Sequence, residues 1–123
     1  MPIEKRKFPR VNITCKISVV FADRLLVFNT HTENVSAAGI RVILQEKLNI
    51  STMVDIDLFL LGKEIPLRCK GRVVWANEIT PVGIRHRLFD TGIEFIEIND
   101  YNREEIIKFV NDLLAQERRD KVS

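Results

Sequence analysis

The sequence predicts a small antiparallel β-barrel, closed or nearly closed, followed by one C-terminal helix. Three observations carry that prediction. Apolar and polar residues alternate along most of the chain, and the alternating runs are short and evenly spaced with turn residues between them. Near Asn99 the period changes once, from two to that of an amphipathic helix. Short, even strands have edges to hide, and closing the sheet on itself hides them.

Size and composition agree with one globular domain: 123 residues, 46% hydrophobic and 29% charged. The elements then follow in order. Residues 1–10 read as a flexible basic arm, 11–115 as the barrel with a helix from about 100, and 116–123 as a charged tail. Val11, Ile13, Cys15, Ile17, Val19 and Phe21 alternate against Asn12, Thr14, Lys16 and Ser18, which is the pattern of a half-buried strand. Ala22-Asp23-Arg24 turns into a second strand around Leu25 to Thr32. Gly39 to Leu44 and Met53 to Leu61 are the third and fourth, and Leu61-Gly62-Lys63-Glu64 reads as a hairpin turn. The fifth runs from about Ile65 to Trp75, with Gly71 at a bulge or close contact. After a loop with Pro81 and Gly83, strand segments are expected at Ile84 to Phe89 and Gly92 to Ile98. Ile106, Phe109, Val110, Leu113 and Leu114 recur at helical spacing, with Asn99, Asp100 and Asn102 as usable N-caps.

Composition excludes several function classes. No apolar run nears the roughly 20 residues of a bilayer span, and no apolar signal segment follows the basic start, so a cytosolic location without membrane insertion is expected. Cys15 and Cys69 fall on apolar faces as buried thiols, and with two histidines so far apart in sequence no metal-site spacing arises. His86 shares the alternation of Ile84 and Leu88 and reads as a packed or edge residue. Ser36 has no histidine near it in sequence, and Asp55 and Asp57 read as a solvated face rather than an acid/base pair. With no glycine-rich phosphate loop either, binding and not catalysis is expected.

Charge is nearly balanced overall, at 19 basic and 17 acidic residues, yet it is concentrated locally. Lys5, Arg6, Lys7 and Arg10 crowd the arm, and Arg85-His86-Arg87 form a second cluster. The arm holds an R-x-x-x-R spacing, Arg6 to Arg10. Pro9 fixes its own φ and pushes Phe8 to extended backbone, so both guanidinium groups ride on a stiff segment. Guanidinium grips phosphate or a guanine edge through paired hydrogen bonds that lysine does not reproduce. Farther on, Asn34-Val35-Ser36-Ala37-Ala38-Gly39 joins short polar side chains to a glycine that admits close backbone approach. Taken singly, the first motif also fits a solvated tail, and the second an ordinary turn capped by Asn34 or Ser36.

In this order the motifs resemble those of a PilZ domain, the bacterial receptor module for cyclic di-GMP. That family carries R-x-x-x-R in an N-terminal arm and D/N-x-S-x-x-G on the barrel. The likeness extends to Gly71-Arg72-Val73-Val74-Trp75 and to Gly92-Ile93-Glu94-Phe95, and so covers nearly the whole chain, from about Lys5 to Leu114. It implies a six-stranded antiparallel, Greek-key-like barrel with a C-terminal helix. It also implies an arm that closes over the dinucleotide: Arg6 and Arg10 on guanine and phosphate, Asn34 and Ser36 on a guanine, and Gly39 leaving room at the strand. Lys5, Arg85 and Arg87 are additional candidates, the last two through a shared strand face. A basic residue at Lys5 goes in this family with an intercalated ligand pair, and lysine there leaves one or two molecules open. Asn34 replaces the commoner Asp.

The resemblance implies an unidentified downstream protein as partner, with motility, polysaccharide and biofilm control among family outcomes. Two other readings stay open. One is a PilZ-like interaction module that has lost its ligand. The other is a basic barrel for single-stranded nucleic acid, which the scarcity of aromatics among the arm's cations disfavours, since Phe8 stands there alone.

Overall fold

The computed structural model describes residues 13–21, 23–60 and 63–122. The arm with Lys5, Arg6 and Arg10 lies outside the described residues, as do Val11, Asn12 and the turn pair Leu61 and Gly62. Six strands are formed: β1 (Thr14–Phe21), β2 (Arg24–Val35), β3 (Gly39–Leu44), β4 (Met53–Phe59), β5 (Leu67–Glu78) and β6 (Phe89–Glu97). One helix follows, α1 (Asp100–Val122). The strands close into an antiparallel barrel in the order β1-β2-β3-β6-β5-β4, with β4 pairing back to β1.

Alternation decides what is inside. Cys15, Ile17 and Val19 of β1, Val54, Ile56 and Leu58 of β4, and Val42 and Leu44 of β3 are all buried. The intervening residues face out, Asp57 beside Arg68 at 3.4 Å among them. Polar groups within are matched: Thr32, fully buried, accepts from Ile13 N at 3.1 Å through its hydroxyl. A salt-free core of β-branched and leucine side chains, each contributing about 1.5–3 kcal/mol on burial, is therefore the main support of the barrel.

The helix seals this core. Asn99 Oδ1 accepts from Asn102 N at 2.7 Å, so Asn99 is the cap among the expected candidates, with Asp100 in the first turn. Ile106 and Val110 are buried against the barrel, while Phe109, Leu113 and Leu114 pack at the margin. The first turn is also pinned by polar contacts, Asn102 Nδ2 to Arg68 O at 3.1 Å and Lys63 to Glu105 at 3.3 Å. The helix continues through the segment read from sequence as a charged tail. Residues 115–119 are good helix formers without glycine or proline, so the backbone has no reason to stop.

One expected strand segment is absent. Ile84 to Leu88 belong to an irregular connection between β5 and β6, and β5 instead runs on to Glu78. Gly83 takes a left-handed φ of 89°, and Ile84 N bonds back to Pro81 O at 3.2 Å, making a turn where the alternation suggested a ladder. Thr80 then substitutes for ladder partners, its Oγ1 accepting from Leu88 N at 3.0 Å. His86 is accordingly exposed rather than packed, and Arg85 and Arg87 share no strand face.

Glycines set two close approaches in β5 and β6. The register slips at Lys70/Gly71, as expected of a bulge, and a Cβ on Gly71 would stand 2.6 Å from Ile93 Cγ2. Trp75 and Gly92 are register partners, and a Cβ on Gly92 would stand 2.2 Å from Trp75 Nε1. The indole thus lies over its partner strand only because that strand has no side chain there. Gly92→Ala is expected to lower stability by about 1–3 kcal/mol through overpacking. Urea denaturation followed by Trp75 fluorescence checks this, with the native emission shifting as the ring is displaced.

Both thiols are buried, and desolvation pushes Cys15 and Cys69 up to about 12 from an ordinary 9.0. A raised thiol value means the folded state holds its proton more tightly than the unfolded chain. The associated stability is complete below about pH 9 and is lost as pH rises from there toward about 12. The urea midpoint should fall more steeply across that window in the wild type than in a Cys15→Ala/Cys69→Ala variant.

Candidate functional site

A cavity of about 330 Å³ opens on the outer surface where β2, β3, β5 and β6 come together. Its lining includes Asn34, Ser36, Gly39, Arg41, Trp75 and Glu94. The second sequence motif therefore forms one wall as a unit.

Local chemistry shapes that wall. Ser36 Oγ accepts from Ala38 N at 3.1 Å and Gly39 N at 3.3 Å, and Ser36 N donates to Gly39 O at 2.9 Å. The hydroxyl is thereby the knot of a tight turn between β2 and β3, as the turn reading of the motif expects. Ala38 O accepts from Phe95 N at 2.8 Å, tying the turn to β6. Ala37 O accepts from Arg103 Nη1 at 3.3 Å, tying it to α1. Asn34 is half-buried beside a β-bulge at Thr32/Asn34, and among the described residues no hydrogen bond engages its amide. Gly39 borders the cavity and also has a duty within the barrel: a Cβ there would stand 2.2 Å from Ile93 O, so the glycine serves the approach of β3 to β6.

Charge around the cavity is arranged in pairs. Arg41 Nε donates to Asp90 Oδ1 at 2.7 Å, and that hydrogen bond raises the guanidinium's proton affinity further. Arg72 pairs with Glu94, the latter on the cavity wall. Arg87 lies outside, bound to Glu78 at 2.6 Å with its guanidinium 5.2 Å from the Phe89 ring centroid. The hydrogen bond from Arg87 holds the Glu78 carboxyl below its usual range. Arg85 is exposed on the same connection and does not line the cavity.

The structure thus brings Asn34, Ser36 and Gly39 together, leaves Arg85 and Arg87 apart from them, and does not describe Lys5, Arg6 and Arg10. Trp75, which the sequence marks only as the end of the fifth strand and of the Gly71–Trp75 segment, has a half-buried ring that both packs over Gly92 and lines the cavity. Sequence reasoning passed over Arg41 and Arg103. Arg41 was within reach, being two residues past Gly39 on the same outward phase of β3; Arg103 carried no such signal.

The chain matches the family described as "PilZ domain" over residues 4–112. Among solved structures it is similar to the PilZ domain of YcgR from Escherichia coli with c-di-GMP, at TM-score 0.63 and 12% identity, covering 98% of this chain and 99% of that one. The Bacillus subtilis inhibitor of motility (MotI/DgrA) gives TM-score 0.67 at 16% identity, with 93% of this chain and 53% of that one covered. The K. pneumonia MrkH–c-di-GMP complex gives TM-score 0.65 at 13% identity, with 96% and 56% covered. The chain therefore spans about half the length of MotI and MrkH. The comparison with curated proteins gives no match. With a family match across nearly its whole length and a barrel that superposes on solved members, the chain belongs to the PilZ domain family.

Proposed function

We propose that this chain is a receptor for cyclic di-GMP in the cytoplasm, working by binding rather than catalysis and passing its occupied state to a downstream protein. The observation that carries the reading is that Asn34, Ser36 and Gly39 together wall one cavity at the end of β2. Ile13 is tied to Thr32 by two hydrogen bonds, 2.9 and 3.1 Å, and Thr32 precedes Asn34 by two positions on β2. β1 runs antiparallel to β2, so its upstream end faces the Asn34 end of β2. Three residues of extended chain reach about 10 Å, and an arginine side chain adds more, so Arg10 can meet the cavity. Arg6 has a longer tether and can close over the far side of a ligand.

The roles then divide by chemistry. Arg6 and Arg10 clamp guanine and phosphate, Lys5 adds charge to the same jaw, and the amide of Asn34, unengaged among the described residues, bonds a guanine. Ser36 holds the turn from within: its hydroxyl accepts from Ala38 N and Gly39 N and donates to Gly39 O at 3.4 Å, so it meets a guanine only by exchanging one of these bonds. Charge-assisted hydrogen bonds contribute about 1.5–3 kcal/mol each, so three or four can supply the ~8 kcal/mol of micromolar binding after the arm is ordered. That YcgR and MrkH have been solved with c-di-GMP on this fold supports the ligand choice. The output is not shared even among the neighbours, one named an inhibitor of motility and another a transcription regulatory factor.

Calorimetric titration with cyclic di-GMP, with GTP and a short oligonucleotide as controls, tests this. Arg10→Ala should weaken cyclic di-GMP binding by about tenfold or more. Unchanged affinity in that variant would remove the arm from the site. A wild type indifferent to the dinucleotide would leave the interaction-module reading, and a salt-sensitive response to the oligonucleotide alone would favour the nucleic-acid one.

A further inference from the structure

The outer-face residues of four neighbouring strands fall in one row at the site. Asn34 on β2 pairs in register with Arg41 on β3, Arg41 with Gly92 on β6, and Gly92 with Trp75 on β5. Neighbouring strands stand about 4.8 Å apart, so an amide, a guanidinium and an indole succeed one another along a single wall of the cavity. Gly92 supplies no side chain to the row, and the Trp75 ring fills its place.

Arg41 is anchored at one end of its head group. Nε is bonded to Asp90 Oδ1 at 2.7 Å, with the Asp90 side chain only 17% exposed and that of Arg41 38% exposed. Glu33 adds a second attractive charge nearby. Among the described residues no hydrogen bond engages the two Nη groups. A guanidinium held through Nε keeps its end-on pair of Nη donors parallel and in a set plane. That is the geometry complementary to O6 and N7 of guanine.

Resting on the cyclic di-GMP reading above, we propose that Arg41 reads the guanine edge of the bound dinucleotide and that Asp90 is its positioning residue. The setting suits a base more than a phosphate. Trp75 and Val74 give the cavity apolar surface. Asp90 and Glu33 offset the positive charge that a phosphate would need, and the arm's arginines supply phosphate-binding cations of their own. Arg41 thus adds selectivity at one guanine edge, beside the guanine and phosphate contacts of the arm.

The test is calorimetric titration of cyclic di-GMP and of its 7-deazaguanine analogue, in which N7 is replaced by C–H, against the full chain. The wild type should bind the analogue about tenfold more weakly than cyclic di-GMP. Arg41→Ala and Arg41→Lys should each lose about tenfold for cyclic di-GMP and discriminate less between the two ligands than the wild type does. The lysine variant keeps the charge facing Asp90 and Glu33, so it holds the fold while removing the paired donors. Asp90→Asn should weaken cyclic di-GMP binding and narrow the preference; an unaltered preference there would remove Asp90 from the scheme. A wild type that binds both ligands equally, or an Arg41 variant that still discriminates as the wild type does, overturns the inference while the receptor reading stands. A wild type that ignores cyclic di-GMP overturns both.

Discussion

The passage of β3 against β6 at Gly39 is the constraint on which the rest of the molecule depends. The space a Cβ would need is already taken by Ile93 O, so only a bare Cα lets the two backbones pair there. Without that pairing β3 has no partner beyond β2, the barrel stays open, and the turn at Ser36 has nothing to fold against. Closing the ring at this point also brings β2 and β5 to either side of the same shallow opening. Barrel closure and cavity formation are consequently one event.

This makes the residues of the second motif harder to sort into structural and functional. Ser36 spends its lone pairs on Ala38 N and Gly39 N, a duty any Ser-capped turn would give it. Gly39 answers to Ile93 as well as bordering the cavity. Asn34, by contrast, sits at a bulge with its amide unengaged among the described residues, where a purely structural residue would gain nothing. A spacing of this kind reads as a ligand signature because the turn that builds the wall and the group that uses it must be so placed together. The pairing of the Gly71–Trp75 and Gly92–Phe95 segments has a similar origin. Trp75 and Gly92 face each other in register, and neither makes steric sense alone.

How much of this was legible in the sequence follows from range. Period-two burial is local, and the strands from Thr14, Gly39 and Met53 lie where alternation put them. The bulge at Gly71 and the Asn99 cap were visible because glycine and asparagine have few other uses at such positions. The segment from Ile84 to Leu88 misled because its alternation is real but its backbone is spent on a turn at Gly83 and on Thr80. The last turns of the helix carry no apolar stripe, because a loss of apolar residues marks where packing stops, not where hydrogen bonding does. At the cavity, Asn34, Ser36 and Gly39 are contiguous and could be found. Trp75 and Arg41 join them only through register across β3, β6 and β5, which no local pattern encodes.

The bond from Arg103 to the Ala37 carbonyl has a mechanical meaning. It fastens the root of a rod to the same short turn that borders the opening. The rod has 23 residues, so at 1.5 Å per residue it is about 34 Å long. Swinging its fastened end through about 10° would sweep the distal tip through roughly 6 Å, simply by the ratio of arc to radius. The turns nearest the barrel, where Ile106 and Val110 are buried, move least in such a swing and the outer turns most, so a molecule at the tip would meet the larger displacement.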